Sequence, residues 1–231
     1  TFPRGTNVVQ TRHKLIIDPI DGTRLLMHDK RPAWVLSALA PQRGPQTRWS
    51  DTYAAAMTEL PTSRHGYRAQ LSGLRGAGLE GLVYEERDLK TGEIASRSIS
   101  PARSATLSHA FASVVDFFPH GKALTARIGE RFFESAGYAE TATPRVFNEQ
   151  YLSTGGQFFE LITGRDRMVA DVRPMVFKAL GIEQSLACHP YDICTALLLT
   201  EAGCVLESLG GGGFDCPLDT TTPVGWVAWA N

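Results

Sequence analysis

The 231-residue sequence lacks the features that mark several specialised classes of protein. No apolar run approaches the roughly 20 residues that a membrane-spanning helix needs, and we find no internal repeat or low-complexity linker. The formal net charge is −1, with acidic and basic residues interspersed. Because no basic arm or patch is present, we expect a globular protein that has neither nucleic acid nor a membrane as a partner.

Cysteine is also scarce, and the spacing of the four cysteines does not match that of a metal site. They lie mostly in apolar surroundings, at positions 188, 194, 204 and 216. This pattern is typical of reduced core cysteines in a cytoplasmic protein. A disulfide between Cys204 and Cys216 remains the alternative.

Acidic residues are absent from Thr1 to Lys14, and then two appear close together. Asp18 and Asp21 follow an apolar run, residues 15–17, of the kind that a buried strand shows. On a straight strand, two side chains three positions apart point to opposite faces. Because Pro19 fixes φ and donates no amide, we expect the strand to end there. A turn after Asp18 would let both carboxylates converge.

The residues that follow extend this interpretation. Asp21-Gly22 is typical of a tight turn, and Thr23 can begin a helix. Carboxylates bind hard divalent cations, and amides at a helix N-terminus bind phosphate. The simpler alternative makes Asp21 an N-cap and Asp18 a turn residue, and this segment alone favours that alternative.

A second informative stretch lies at residues 191–203. Its apolar residues fit a buried helix over 191–202 that Gly203 ends, with Asp192 in the first turn. A carboxylate there favours the helix dipole. A capping role is therefore the alternative to a metal-binding role for Asp192.

The rest of the chain predicts stacked layers of sheet and helix, an α/β (α+β) fold. We expect a strand-rich half over about 1–118 and a half of alternating helices and strands over about 119–231, which carries Asp192. The sequence patterns predict strands at 13–17, 33–40, 82–86, 93–99, 110–118, 167–171 and 204–207. They also predict helices at 22–28, 121–137, 148–163, 176–180 and 191–202.

Taken together, the two acidic stretches resemble the inositol monophosphatase family of metal-dependent phosphatases. That family includes fructose-1,6-bisphosphatase-like and 3′-phosphoadenosine-5′-phosphate phosphatase-like members. The first motif, Asp-Pro-Ile-Asp-Gly-Thr at 18–23, is complete, whereas the second has Tyr191 where the family usually has Trp. The resemblance implies one catalytic unit over 1–231 with a layered αβαβα fold, lacking N-terminal helices and a C-terminal segment. It also implies Mg²⁺-dependent hydrolysis of a small phosphomonoester with two or three ions, and a possible homodimer.

The resemblance further implies a role for each matching residue. Asp18 would bridge two ions, Asp21 and Asp192 would complete one of them, and the Ile20 carbonyl would bind the other. The amides of Gly22 and Thr23 would bind phosphate, and the Thr23 hydroxyl would orient the attacking water. The predicted catalytic residues are thus Asp18, Asp21 and Thr23. The predicted substrate contacts are Arg24, Ser153, Thr154 and Ser185.

Departures from the family pattern leave alternatives open. A metal-binding Glu expected upstream of Asp18 must lie before Thr1 or be missing. Ser185 stands where inositol phosphatases often have an acidic residue. Arg24 places a basic residue directly after Thr23, which resembles the adenosine-bisphosphate branch of the family more than the inositol branch. The alternatives are a nucleotide 3′-phosphatase, a sugar-bisphosphatase, or a non-catalytic relative that binds metal or a phosphorylated ligand.

Overall fold

The first of two β-sheets is a six-stranded antiparallel meander. The computed structural model describes residues 1, 4–138 and 143–231. The strands follow one another in chain order: β1 (His13–Asp21), β2 (Ala33–Pro41), β3 (Ala54–Leu60), β4 (Tyr67–Leu74), β5 (Val83–Asp88) and β6 (Ile94–Ser96). β1 therefore lies at one edge of this sheet and β6 at the other.

The second sheet has five strands in the order β10-β11-β9-β7-β8. These are β7 (Ala110–Val114), β8 (Val146–Phe147), β9 (Asp166–Asp171), β10 (Val205–Ser208) and β11 (Trp226–Trp229). β7 runs parallel to β8 and β9, and β11 runs antiparallel to β9 and β10. β7 belongs to this sheet although it precedes residue 118, the predicted boundary between the two halves.

Five α-helices complete the architecture in the residues that the structure describes: α1 (Thr23–Met27), α2 (Lys122–Ser135), α3 (Thr154–Ile162), α4 (Arg173–Leu180) and α5 (Ala196–Glu201). α3 and α5 pack between the two sheets in the larger core. Successive residues of β9 enter different cores: Val169 joins the larger one, whereas Met168 and Ala170 join a second core with α2 and α4. In the described residues, four layers therefore follow one another in the predicted order: the six-stranded sheet, α3 with α5, the five-stranded sheet, and α2 with α4. The described residues contain no further helical layer on the outer face of the six-stranded sheet.

Several predicted elements have different bounds in the structure. The helix predicted at 148–163 begins only at Thr154, because Ser153 is extended and caps it. The helix predicted at 191–202 begins only at Ala196. Before it, residues 189–195 form successive turns in which, for example, Asp192 N donates to the His189 carbonyl. Such turns have the same apolar spacing as a helix, and for this reason the sequence pattern predicted the start of the helix several residues too early.

The first strand also differs from the prediction. β1 does not end at Pro19 but continues to Asp21. A proline is tolerated there because β1 is an edge strand, where its missing N–H breaks no ladder bond on the outer side. Within the predicted buried run only Ile16 is buried, whereas Leu15 and Ile17 are 55% and 46% exposed. One face of β1 alone enters the core.

All four cysteines are buried and free, which confirms the prediction of reduced core residues and removes the alternative of a Cys204–Cys216 bridge. Within residues 4–138 and 143–231, every helix is too short or too polar to cross a lipid bilayer.

Candidate metal centre

A β-bulge brings Asp18 and Asp21 to the same face of β1. Asp18 pairs with Leu36 of β2 and Asp21 pairs with Trp34, so three steps along β1 match two along β2. The extra residue shifts the side-chain alternation by one position, and Asp18 and Asp21 both become buried on the inner face. The Asp18 carboxylate accepts the Ile20 N–H at 3.0 Å, which stabilises the bulge. A bulge, not the predicted end of the strand, therefore makes the carboxylates converge.

Gly22 turns the chain from β1 into α1. Its φ of 87° lies in the left-handed region, which glycine adopts without strain. A Cβ at this position would lie 3.0 Å from Ser153 Cβ and 3.2 Å from the Leu152 carbonyl oxygen. Only glycine therefore permits both the turn and the close approach of the segment that precedes α3.

The start of α3 holds the Asp21 carboxylate in place. Asp21 Oδ2 accepts hydrogen bonds from the Ser153 hydroxyl at 2.9 Å and from the Gly155 N–H at 2.6 Å. The Ser153 hydroxyl also accepts the Gly156 N–H and so caps α3. The contact of the Gly155 N–H with Asp21 was not predicted from the sequence. The signal was a serine followed by Thr154 and two glycines ahead of an apolar run, a pattern typical of a capped helix that another chain segment approaches closely.

Asp192 reaches the same point from the turns before α5. Its Oδ2 accepts the His189 N–H at 2.7 Å. The His189 ring lies stacked on Tyr191, and its Nδ1 is 3.9 Å from Asp192 Oδ2. Because burial lowers the pKa of His189, we regard this contact as one between a neutral imidazole and a carboxyl group.

One oxygen from each of Asp18, Asp21 and Asp192 lies within 4.8 Å of the other two. The predicted convergence is confirmed, although Asp192 is remote in sequence. Burial, together with the neighbouring negative charges, raises the pKa of Asp21 to about 7 and that of Asp192 to about 8. Burial also raises the pKa of Asp18. Three carboxylates this close together provide oxygen ligands and a surplus of negative charge, which suit a hard divalent cation such as Mg²⁺.

The same pKa shifts predict how the stability of the metal-free protein depends on pH. A folded-state pKa above the unfolded value means that the folded state binds more protons, so stability falls as pH rises from about 4 to about 8. With EDTA present, we expect the free energy of unfolding to fall by at least about 2 kcal/mol between about pH 5 and pH 8.5. Thermal melts across this range measure the slope.

Mg²⁺ serves as the control for this prediction. Burial also raises the pKa of Asp166 to about 7, and this residue lies outside the metal centre, so part of the slope is independent of metal. Mg²⁺ should flatten the remaining part, because a bound cation favours the ionised carboxylates. A slope that saturating Mg²⁺ leaves unchanged would contradict a metal site at the three aspartates.

The other residues of the first motif lie at the junction between β1 and α1. The Thr23 hydroxyl donates to the Ile20 carbonyl at 2.6 Å, which leaves one carbonyl lone pair for a further ligand. Gly22 and Thr23 form the junction between β1 and α1. Arg24 follows on α1 and is exposed.

A cleft of about 180 Å³ adjoins the carboxylates and contains the other predicted substrate contacts. Asp21 and Asp192 line it, together with Ser153, Thr154 and Ser185. Its remaining lining residues include two phenylalanines, a tyrosine and an arginine: Phe117, Phe118, Tyr191 and Arg173. Larger cavities lie elsewhere, but within the described residues only the three aspartates form a group able to hold a metal.

No protein-family model and no curated protein matches the chain. Solved structures match nearly all of it. A hypothetical protein from Pyrococcus horikoshii with similarities for inositol-1 monophosphatase has a TM-score of 0.58 at 15% identity, covering 96% of this chain and 66% of its own. The extragenic suppressor protein SuhB from Bartonella henselae has a TM-score of 0.58 at 16% identity, and the match covers 96% of this chain and 66% of the SuhB chain.

A third structure, an IMPase/NADP phosphatase complexed with Mg²⁺ and phosphate, has a TM-score of 0.59 at 12% identity. The match covers 98% of this chain and 66% of the phosphatase chain. The chain thus spans about two thirds of the length of the chains that it matches. The predicted α/β layered fold is confirmed, and it is the fold of inositol monophosphatase family proteins. At these identities the comparison establishes the fold alone.

Proposed function

We propose that this chain is a Mg²⁺-dependent phosphomonoesterase of the inositol monophosphatase family, acting on a small phosphorylated metabolite. The convergence of Asp18, Asp21 and Asp192 beside a cleft is the single observation that carries the proposal. When bound there, divalent cations supply Lewis acidity, which neutralises phosphate oxygens and lowers the pKa of the attacking water. A cytoplasmic location and a homodimer remain predictions.

The residues of the chain have distinct tasks in this proposal. The three aspartates hold the ions, and the Ser153 hydroxyl and the Gly155 N–H fix the direction of Asp21. The Ile20 carbonyl is a further ligand, held by the Thr23 hydroxyl.

Phosphate and substrate contacts follow the resemblance to the family. The amides of Gly22 and Thr23, where α1 begins, bind the phosphate. Ser153, Thr154 and Ser185 contact the rest of the substrate in the cleft. Arg24, which is exposed beside the site, contacts a second phosphate where the substrate has one.

A nucleotide phosphatase is the second candidate, and a sugar-bisphosphatase is the less favoured alternative. The side chains of Phe117, Phe118 and Tyr191 line the cleft and supply aromatic surface that suits a nucleobase. Ser185 supplies a hydroxyl at a position where a carboxylate would accept hydrogen bonds from the hydroxyl groups of a polyol. The aromatic lining and the absence of a carboxylate at Ser185 are the observations that support a nucleotide monophosphate as the second candidate substrate.

Phosphate release from a panel of substrates tests both candidates. We expect release from inositol 1-phosphate, fructose 1,6-bisphosphate or a 2′- or 3′-nucleotide to require Mg²⁺ and to stop in EDTA. The ratio of kcat/KM values between the nucleotide and the inositol phosphate distinguishes the two candidates. A protein that releases phosphate from none of these with either Mg²⁺ or Mn²⁺ would contradict the proposed function.

A further inference from the structure

The segment that carries Asp192 has no regular secondary structure of its own. The connection from α4 to α5 consists of turns and irregular backbone, so neither a helix nor a strand sets the direction of this carboxylate. Hydrogen bonds from elsewhere anchor the backbone: Val224 N donates to the Cys188 carbonyl at 2.8 Å, and Arg173 Nη1 donates to the Leu186 carbonyl at 2.7 Å. The position of Asp192 therefore depends on these anchors.

Arg173 is itself rigidly held. Its Nε donates to both carboxylate oxygens of Asp171, at 2.9 and 3.1 Å, and its own backbone N–H donates to the same carboxylate. The Phe117 ring centroid lies 5.0 Å from the guanidinium carbon. Asp171 is fully buried at the end of β9, and Arg173 is only 9% exposed. One side of the guanidinium is thus fixed to the sheet while the other reaches the Leu186 carbonyl.

The energetics of this ion pair favour a role other than stability. A buried ion pair often stabilises a fold no more than well-packed apolar residues of the same volume, because removing both charges from water is costly. This pair joins the five-stranded sheet to the segment that bears Asp192, and Arg173 lines the same cleft as Asp192.

We propose that Arg173 is a positioning residue of the metal centre. Anchored on Asp171, it sets the backbone of the Asp192 segment through the Leu186 carbonyl, and so the direction of the Asp192 carboxylate. The inference rests on the proposed metal-dependent function, since that function makes Asp192 a metal ligand.

Arg173→Lys tests this role because it keeps the charge and removes the two-pronged contact. In calorimetric titrations, we expect its Mn²⁺ affinity to be about tenfold lower than that of the parent, the lower end of the range for outer-shell partners, because Arg173 acts on Asp192 through the backbone at Leu186. Asp171→Asn should weaken binding similarly, since it frees the guanidinium. Arg48→Gln is the matched control: it breaks an exposed ion pair with Asp215 and should leave the affinity unchanged.

The outcomes separate positioning from stability. Metal-free thermal melts identify which variants fold, and if one of Arg173→Lys and Asp171→Asn does not fold, the other decides. Folded variants whose Mn²⁺ affinity stays within about twofold of the parent would overturn the inference. A parent that binds Mn²⁺ but hydrolyses no phosphoester would overturn the proposed function alone, because the affinity losses would still assign the positioning role to Arg173.

Discussion

Asp18→Asn is expected to lower kcat for phosphate release by at least about 10²- to 10³-fold, the usual effect of removing one preorganised electrostatic contact. The fold should survive, because an asparagine oxygen can still accept the Ile20 N–H. Asp18 is only 7% exposed and lies beside Asp21 and Asp192, and burial raises its pKa. Replacing it removes one charge from a repulsive cluster, so the metal-free protein should melt at the same or a higher temperature.

Asp88→Asn is the matched control for this prediction. Asp88 accepts the backbone N–H groups of Lys90 and Thr91 in the turn after β5, near the far edge of the six-stranded sheet. We expect this variant to retain the kcat of the parent. Near-parent turnover in Asp18→Asn would remove Asp18 from the site, whereas equal losses in both variants would show a general sensitivity of the fold.

Gly22→Ala is expected to have the second large effect, on both stability and metal binding. A φ of 87° costs a residue with a Cβ roughly 1–2 kcal/mol, and the new methyl group would also press on Ser153 Cβ at 3.0 Å. We expect the free energy of unfolding to fall by about 3 kcal/mol in total. Because Ser153 holds Asp21, its displacement should also weaken Mg²⁺ binding. Denaturant unfolding and calorimetry measure the two effects.

Gly203→Ala separates strain from crowding. Gly203 has the same φ of 87°, but a Cβ there would meet nothing within 4 Å. Gly203→Ala should therefore lower the free energy of unfolding only by the roughly 1–2 kcal/mol of backbone strain. Its metal binding should be unchanged. Equal losses in the two variants would show that the approach of Ser153 to Gly22 has no part in forming the site.

The sequence predicted most elements whose pattern is carried by contiguous residues. The strands predicted at 82–86 and 93–99 are confirmed as β5 and β6, which pair antiparallel, and the helix predicted at 121–137 is confirmed as α2. The predictions were wrong where two structures share one pattern. The turns of residues 189–195 carry the apolar spacing of a helix. The helix predicted from 148 begins only after its cap Ser153, because the apolar run of α3 continues back into Tyr151 and Leu152 without a helical backbone.

The chemistry that the candidate site offers follows from the amino-acid sequence, because residue type decides which atoms can bind a cation or approach a phosphate. The resemblance of the two acidic stretches to a known family, taken together, singled out Asp18, Asp21 and Asp192. The way in which these three carboxylates meet depends on contacts between distant parts of the fold. A single extra residue in β1 moves Asp21 to the inner face, and the start of α3, more than a hundred residues away, holds it there. Arg173 was missed for the same reason, since its contact to Leu186 depends on packing between elements and leaves no pattern in the local sequence.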